Sequence, residues 1–276
     1  MESQAARAEA FQSLHARPGA FAIPNPWDAG SAKMLATLGF EALATTSAGF
    51  AFSLGRPDAE GAIGRAETLA NAHAIVDATS LPVSADLENG FGDGPETCAE
   101  TILLAAAAGL VGGSIEDATG HPNDPIYSYD LSIERVKAAV KAARSLSFPF
   151  VLTARAENLI SGRPDLADTI RRLVAFADAG ADVLYAPGLR TREEIDAVVR
   201  AVAPQPVNVV MGLSGPSLSL DALASLGVKR VSLGSSLARA AYGAFLHAAR
   251  EVKLKGTFDF ALEAISYAEI NAIFKA

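Results

Sequence analysis

The feature that most constrains this chain is a joint that recurs along it. A glycine closes an apolar helical stretch, and one or two residues later an apolar run begins. The joint appears at Leu38-Gly39-Phe40, Ala108-Gly109-Leu110, Ala179-Gly180-Ala181 and Leu226-Gly227-Val228. Glycine just past a helix end takes the left-handed conformation without a side-chain clash, so this is the expected junction from helix to strand. Gly39 and Gly109 lie 70 residues apart, and Gly109 and Gly180 lie 71 apart. Each interval therefore holds two strand–helix units of about 35 residues.

Short apolar, β-branched runs between these joints give eight predicted strands: Ala20–Pro24, Ala42–Ser47, Pro82–Asp86, Gly112–Glu116, Phe150–Arg155, Asp182–Ala186, Val207–Met211 and Arg230–Gly234. The segments between them read as helices. Ile170, Leu173, Val174 and Ala177 fall at i, i+3, i+4 and i+7, as do Ile195, Val198, Val199 and Val202, which puts one buried stripe on each helix. Strict alternation of strand and helix implies a parallel sheet with right-handed crossovers. Eight repeats in 276 residues predict closure into a (β/α)8 TIM-type barrel, a single domain over 1–276. No Gly-x-Gly-x-x-Gly follows the first strand, which argues against an open dinucleotide-binding sheet. Beyond the eighth strand the pattern predicts a helix over Ser236–Lys255, a break at Gly256-Thr257 and a last helix near Asp259–Phe274. A barrel needs only the first of these. The extra segment, 257–276, either packs on its own barrel or exchanges with a partner subunit.

A net charge of −8 argues against a nucleic-acid-binding surface. It leaves room for an anionic substrate, since a local cation sets the potential in a cleft. The single cysteine, Cys98, excludes an intrachain disulfide and a cysteine-based zinc cluster. Glu2, Arg7 and Glu9 interrupt any signal-like start, and no apolar run approaches the roughly 20 residues of a membrane span. The expectation is a cytoplasmic protein with no membrane or nucleic-acid partner.

Barrel enzymes of this architecture carry their chemistry where the strands end. Strand two runs into Thr45-Thr46-Ser47-Ala48-Gly49 and a loop bearing Asp58. Strand three ends Asp86-Leu87-Glu88-Asn89-Gly90, strand four Glu116-Asp117, and strand five Arg155-Ala156-Glu157-Asn158. Alternation along a strand points Asp86 and Glu88 the same way, and Glu116 on the next strand shares their space. Such acids also cap helices or pair with arginines. Three of them on adjacent strand ends with Asp58 nearby point instead to a hard divalent cation, Mg²⁺ with Mn²⁺ as the alternative, because the donors are all oxygen. Arg155 offers a planar fork for a substrate carboxylate, or a bridge to Glu116 or Glu157. The amides of Ser47-Ala48-Gly49 form a small-residue turn suited to an anion, and Asn208 on strand seven joins the candidate substrate-binding set. Gly212-Leu213-Ser214-Gly215 and Gly234-Ser235-Ser236 end the last two strands, where barrels often hold phosphate. The lysines all fall on predicted helices or at the start of strand eight, away from Schiff-base chemistry. Cys98 reads as helix packing. Of the four histidines only His121, in the loop after strand four, is placed to reach the site.

These residues resemble the isocitrate lyase/phosphoenolpyruvate (PEP) mutase superfamily. The likeness runs through Pro24-Asn25-Pro26-Trp27-Asp28-Ala29, Thr46-Ser47-Ala48-Gly49, Gly55-Arg56-Pro57-Asp58, Asp86-Leu87-Glu88-Asn89-Gly90-Phe91-Gly92, Ile115-Glu116-Asp117, Ala154-Arg155-Ala156-Glu157 and Gly180-Ala181-Asp182. The resemblance implies that Asp86 coordinates Mg²⁺ and that Asp58, Glu88 and Glu116 hold the metal's waters. It further implies that Ser47-Ala48-Gly49 binds a carboxylate or phosphoryl oxygen and that Arg155 clamps a small 2-oxo acid. It implies a homotetramer, a dimer of dimers, that exchanges a C-terminal helix, and chemistry through an enolate. Two departures narrow the reaction. The lyase branch carries Lys-Lys-Cys-Gly-His after strand four, whereas Ala118–Tyr129 here has neither cysteine nor lysine. The usual His or Glu at the end of strand six is replaced within Tyr185-Ala186-Pro187-Gly188. Decarboxylation, or a related C–C cleavage of an oxaloacetate-like acid, fits a loop stripped of its proton donor. The alternatives are P–C bond chemistry on a phosphonopyruvate-like substrate, and a non-catalytic binder of oxo acids.

Overall fold

The structure is a computed structural model that describes residues 2–58, 61–213 and 217–275. Helix α1 (Gln4–Ala16) precedes strand β1 (Phe21–Ile23), and α2 (Ala29–Ala36) follows it. Strand β2 (Leu43–Ala44) leads into α3 (Ser47–Ser53) and α4 (Arg65–Asp77). Then come β3 (Val83–Asp86), α5 (Pro95–Ala107), β4 (Gly112–Glu116), α6 (Tyr129–Arg144), β5 (Val151–Arg155), α7 (Leu166–Asp178), β6 (Val183–Tyr185), α8 (Arg192–Val202), β7 (Val207–Val210), α9 (Leu220–Ser225) and β8 (Arg230–Ser232). All eight strands pair in parallel, in the order β1-β8-β7-β6-β5-β4-β3-β2. The remaining edge, β1 against β2, is bridged by a hydrogen bond from the Ala44 N–H to the Pro24 carbonyl (3.1 Å). The sheet is a nearly closed (β/α)8 barrel, as the joints predict. The four joint glycines have φ of +80° (Gly39), +91° (Gly109), +97° (Gly180) and +87° (Gly227), the region where a β-carbon is penalised.

Strand β4 spans the predicted residues end to end, and six others lose one or two. Strand β2 is the exception. Expected over Ala42–Ser47, it ends at Ala44, because the Thr46 hydroxyl accepts the Gly49 N–H (3.2 Å) and caps α3. Threonine offers the chain this local alternative to a ladder. Ser47-Ala48-Gly49 is accordingly the first turn of a helix.

Helix stripes and outward strand faces form the main core. Leu173, Ile195 and Val198 are fully buried, with Ile170, Val174 and Val199 packed partly against them. A second cluster of Phe11, Leu14, Phe21, Ile23, Val111, Val151 and Val183 joins α1 to strand starts. Helix α1 thus plugs the N-terminal mouth, and the site faces the other end.

The C-terminal segment departs from expectation. Helix α10 (Ser236–Lys255), expected as the eighth helix of the casing, buries only Ala238, while Phe245 and Leu254 are 67% and 80% exposed. After Gly256 and a 3₁₀ turn at Asp259–Leu262, α11 (Tyr267–Lys275) lies against α2 of the same chain. The Lys33 Nζ donates to the Phe274 carbonyl (3.2 Å). No helix among the described residues is long and apolar enough to cross a membrane.

Candidate active site

Strands β2 to β5 end in a cluster organised around one guanidinium. Register places Glu116 beside Arg155 and Asp86 beside Ser114. Arg155 Nη1 donates to Asp86 Oδ1 (2.7 Å), Nη2 pairs with Glu116 Oε2 (3.0 Å), and Nε donates to Glu157 Oε1 (2.9 Å). Its plane lies 5.2 Å from the Tyr185 ring centroid. Burial opposes the charge, yet Glu116, Glu157 and Asp86 together hold the Arg155 pKa well above its ordinary value. The bridge to Glu116 or Glu157 considered from sequence is present to both, and to Asp86 besides.

Asp86 is the hub of a second set of contacts. Its Oδ2 accepts from the Ser47 hydroxyl (2.9 Å) and the Ser47 N–H (3.3 Å), and its own N–H donates to the Thr45 hydroxyl (3.0 Å). Glu88 is not placed by strand alternation. Strand β3 stops at Asp86, Leu87 turns fully into the core, and Glu88 takes a left-handed φ of +48°. Non-glycine residues hold that conformation at an energetic cost, and such strain concentrates at functional sites. The segment is latched from behind by buried Arg135. Its guanidinium donates to the carbonyls of Asn89, Gly92 (2.6 Å) and Asp93 and lies 4.1 Å from the Tyr127 ring centroid. Burial, then the Asp86 and Asp58 carboxylates, push the Glu88 pKa up to about 7. Glu116 is raised well above the carboxylate range by burial, with Glu157, Asp86 and Glu88 adding to it against Arg155. One guanidinium does not neutralise this group of acids.

Two cavities meet at the cluster. One, of about 190 Å³, reaches into the barrel and is lined by Ser47, Ala48, Asp58, Asp86, Arg155 and Asn208 among others. The other, toward the loop after β4, contains Glu88, Glu116 and His121. The structure therefore brings the expected Asp58, Asp86, Arg155, Ser47, Ala48 and Asn208 to one chamber and sets exposed His121 in the neighbouring one. Asn208 has both ends of its amide engaged, accepting from Arg230 Nε (2.9 Å) and donating to the Ser232 hydroxyl (3.0 Å). Of the two phosphate-type turns, Gly234 and Ser235 line the inner chamber; Ser214 and Gly215 lie outside the described residues. Sequence reasoning missed Arg230, which opens β8 inside the barrel; its signal is a charge at an otherwise apolar strand start. Cys98 is buried on α5 and raised by that burial, in keeping with packing.

The donor set fits a divalent cation of the magnesium type. The oxygens are hard, and burial first, with repulsion from neighbouring carboxylates second, raises the Glu88 and Glu116 pKa values. Among the described residues no three His, Cys, Asp or Glu side chains form a direct ligand cluster. Mg²⁺ commonly keeps several waters and takes one or two carboxylates directly. Asp86, Asp58, Glu88 and Glu116 are the residues that could hold it.

A parallel barrel with acids and an arginine at its strand ends defines the class: a (β/α)8 barrel with the makings of an active site at the C-terminal ends of its strands. The family model for phosphoenolpyruvate phosphomutase matches residues 11–253. A crystal structure from Burkholderia cenocepacia J2315, assigned no further than lyase/mutase, is 64% identical, covers 99% of this chain and 97% of its own, and superposes with a TM-score of 0.96. A 2-methylisocitrate lyase of Halalkalibacterium halodurans is 28% identical over 99% of this chain and 94% of its own. An oxaloacetate acetylhydrolase solved with its product oxalate is 27% identical, covers 99% and 95% of the two chains, and has a TM-score of 0.88. The chain belongs to the phosphoenolpyruvate phosphomutase family of the isocitrate lyase/PEP mutase superfamily and is an enzyme of that type.

Proposed function

We propose that this enzyme is a Mg²⁺-dependent carbon–carbon lyase or decarboxylase that cleaves the bond next to the carbonyl of a small, oxaloacetate-like 2-oxo acid through an enolate. The observation that carries the reading is that Asp58 and Asp86 line one chamber with Ser47 and Arg155, while Glu88 and Glu116 line the cavity beside it and Arg155 pairs with acids of both, Asp86 (2.7 Å) and Glu116 (3.0 Å). A cation bound there supplies Lewis-acid polarisation of the substrate's oxo group. Ser47 and Ala48, which line the chamber at the start of α3, face the carboxylate end of the substrate. Arg155, held in place by Glu157 and Glu116, presents a fixed positive charge to the oxygen on which negative charge develops. The loop between β4 and α6 folds on itself, with Ala118 bridged to Ile126 and the Thr119 N–H donating to the Pro125 carbonyl (2.9 Å). It contributes exposed His121 but no cysteine or lysine, which favours a reaction with no dedicated acid for a carbon leaving group. The exposed apolar residues of α10 and of 257–275 support self-association, proposed as a homotetramer in which the C-terminal helices are exchanged.

The test is a screen of small 2-oxo diacids with and without EDTA, with product identification by NMR. EDTA-sensitive release of CO₂ or a carboxylic-acid fragment is expected; EDTA-resistant turnover would remove the metal from the reading. The match to the phosphomutase model and the Gly234-Ser235 turn at the inner chamber favour a second reading, P–C bond chemistry. A ³¹P signal for inorganic phosphate or a PEP-like product from phosphonopyruvate would select it.

A further inference from the structure

Two guanidinium groups line the inner chamber, and they are not equivalent. Arg155 is saturated with carboxylates. Arg230 is 6% exposed, and its Nε and Nη2 donate to neutral oxygens, Asn208 Oδ1 (2.9 Å) and the Thr153 hydroxyl (2.8 Å). Its Nη1 is buried with no hydrogen-bond partner. Burial pulls the Arg230 pKa down to about 10, opposed by the Tyr185 phenol and by no carboxylate. Other buried arginines have more partners: Arg172 has Asp117 (3.0 Å) and Asp168 (2.8 Å), and Arg135, though its Nε is also unpaired, has three backbone carbonyls.

A guanidinium keeps its proton throughout the working pH range, and an uncompensated charge in a low-dielectric interior is unfavourable. Arg230 lines a chamber together with Ser232, Tyr185 and Asn208. At about 190 Å³ the space is smaller than a drug-sized site and suits a short acid. We infer that Arg230 is a second anion-recognition group, pairing its free Nη1 with a carboxylate or equivalent anionic end of the ligand, so that the enzyme selects small dianions over monoanions. The inference rests on the reading that the mouth holds the other, oxo-carboxylate end, and it extends that reading to the substrate class. It makes Arg230 a specificity residue distinct from Arg155, whose fork is already engaged.

The experiment is calorimetric titration of the full chain, in magnesium-containing buffer, with malonate, succinate and their half-amides malonamate and succinamate. These probes do not turn over, so the result is independent of the reaction catalysed. Wild-type protein is expected to bind at least one diacid about tenfold more tightly than its half-amide, the magnitude of one charge-assisted pair. In Arg230→Gln that preference should fall to about onefold, with half-amide affinity unchanged within about threefold. Arg230→Lys keeps the charge without the fork and should show an intermediate preference; it also serves if the glutamine variant does not fold. Wild-type protein that holds no diacid more tightly than its half-amide overturns the inference, as does a variant that loses diacid and half-amide equally. A preference that depends on Arg230 in an enzyme that turns over no 2-oxo acid would keep the inference and sink the proposed reaction.

Discussion

Replacing Arg135 by methionine tests whether the left-handed segment after β3 is held by its latch. The arginine is almost wholly buried and caps three carbonyls, those of Asn89, Gly92 and Asp93. A buried carbonyl left without its donor costs about 1–3 kcal/mol, and loss of the stack on Tyr127 adds about 1 kcal/mol. Gly92 is half-buried and Asp93 exposed, so water can replace part of the loss; a total near 4 kcal/mol is expected, within the range for buried-network disruption. For a chain of this size that corresponds to a fall in Tm of about 10 °C. The strained φ values at Glu88 (+48°) and Phe91 (+63°) give the released segment a reason to relax, so Glu88 should leave the cluster. The assay is thermal denaturation together with activity as a function of Mg²⁺ concentration. Arg135→Met should lower Tm and raise the Mg²⁺ concentration needed for half-maximal activity. Arg135→Lys, unable to reach all three carbonyls, should fall between. A variant within about 2 °C of wild type, with an unchanged Mg²⁺ response, would refute the latch.

Asp86→Asn is expected to abolish turnover and the response to divalent ions together; retained turnover would remove Asp86 as the metal-binding hub. Arg155→Lys should raise KM and lower kcat, because a point charge cannot replace a fork held by three carboxylates; unaltered kinetics would make the residue purely structural. His15 titrates low, at about 3, through burial first and the Arg230 charge second. Its unfolded form therefore takes up a proton that the folded form refuses, and stability should fall as pH drops from about 6.5 toward 3, with a slope of at most ~1.4 kcal/mol per pH unit. In urea melts across that window His15→Gln should flatten the slope, and an unchanged slope would contradict the assignment. Truncation after Gly256 should reduce the assembly size seen by light scattering; an unchanged mass would show that 257–276 is not needed for association.

The barrel was legible because its periodicity is backbone chemistry. Glycine joints, short β-branched runs and helix stripes each follow from local sterics, and they recur often enough to specify the count. Asp86, Glu116 and Arg155 were equally legible, since a charge at the end of an apolar strand announces the open end of the barrel. Glu88 was found for a reason that does not hold: alternation requires a strand, and β3 has already ended. The turn latched by Arg135, with the Glu88 N–H donating to Asp86 Oδ1 (3.4 Å), is what keeps Glu88 beside its neighbours. Ser47 was misplaced because a threonine cap competes with a ladder, a contest that depends on where the chain goes next. Arg230 was overlooked because it lies at a strand start, the end of the barrel where function is not sought, yet its long side chain reaches the inner chamber. The position of α10 was beyond local reasoning, because an amphipathic pattern states that a face will be covered and not by whom.

Asn25 stands where the cylinder's two free edges meet. Its amide nitrogen donates to the Thr45 carbonyl (3.0 Å), and its oxygen accepts the N–H groups of Leu233 (2.9 Å) and Gly234 (2.9 Å). One amide thus ties the tips of β1, β2 and β8, beside the edge that lacks a paired ladder. The wall is sealed at its working rim by this side chain beside the backbone bond from Ala44 to Pro24, like a hoop fastened with a rivet. Any loosening of the ring would begin at that rivet, bringing solvent to the chamber from the flank without disturbing the staves that bear the acids.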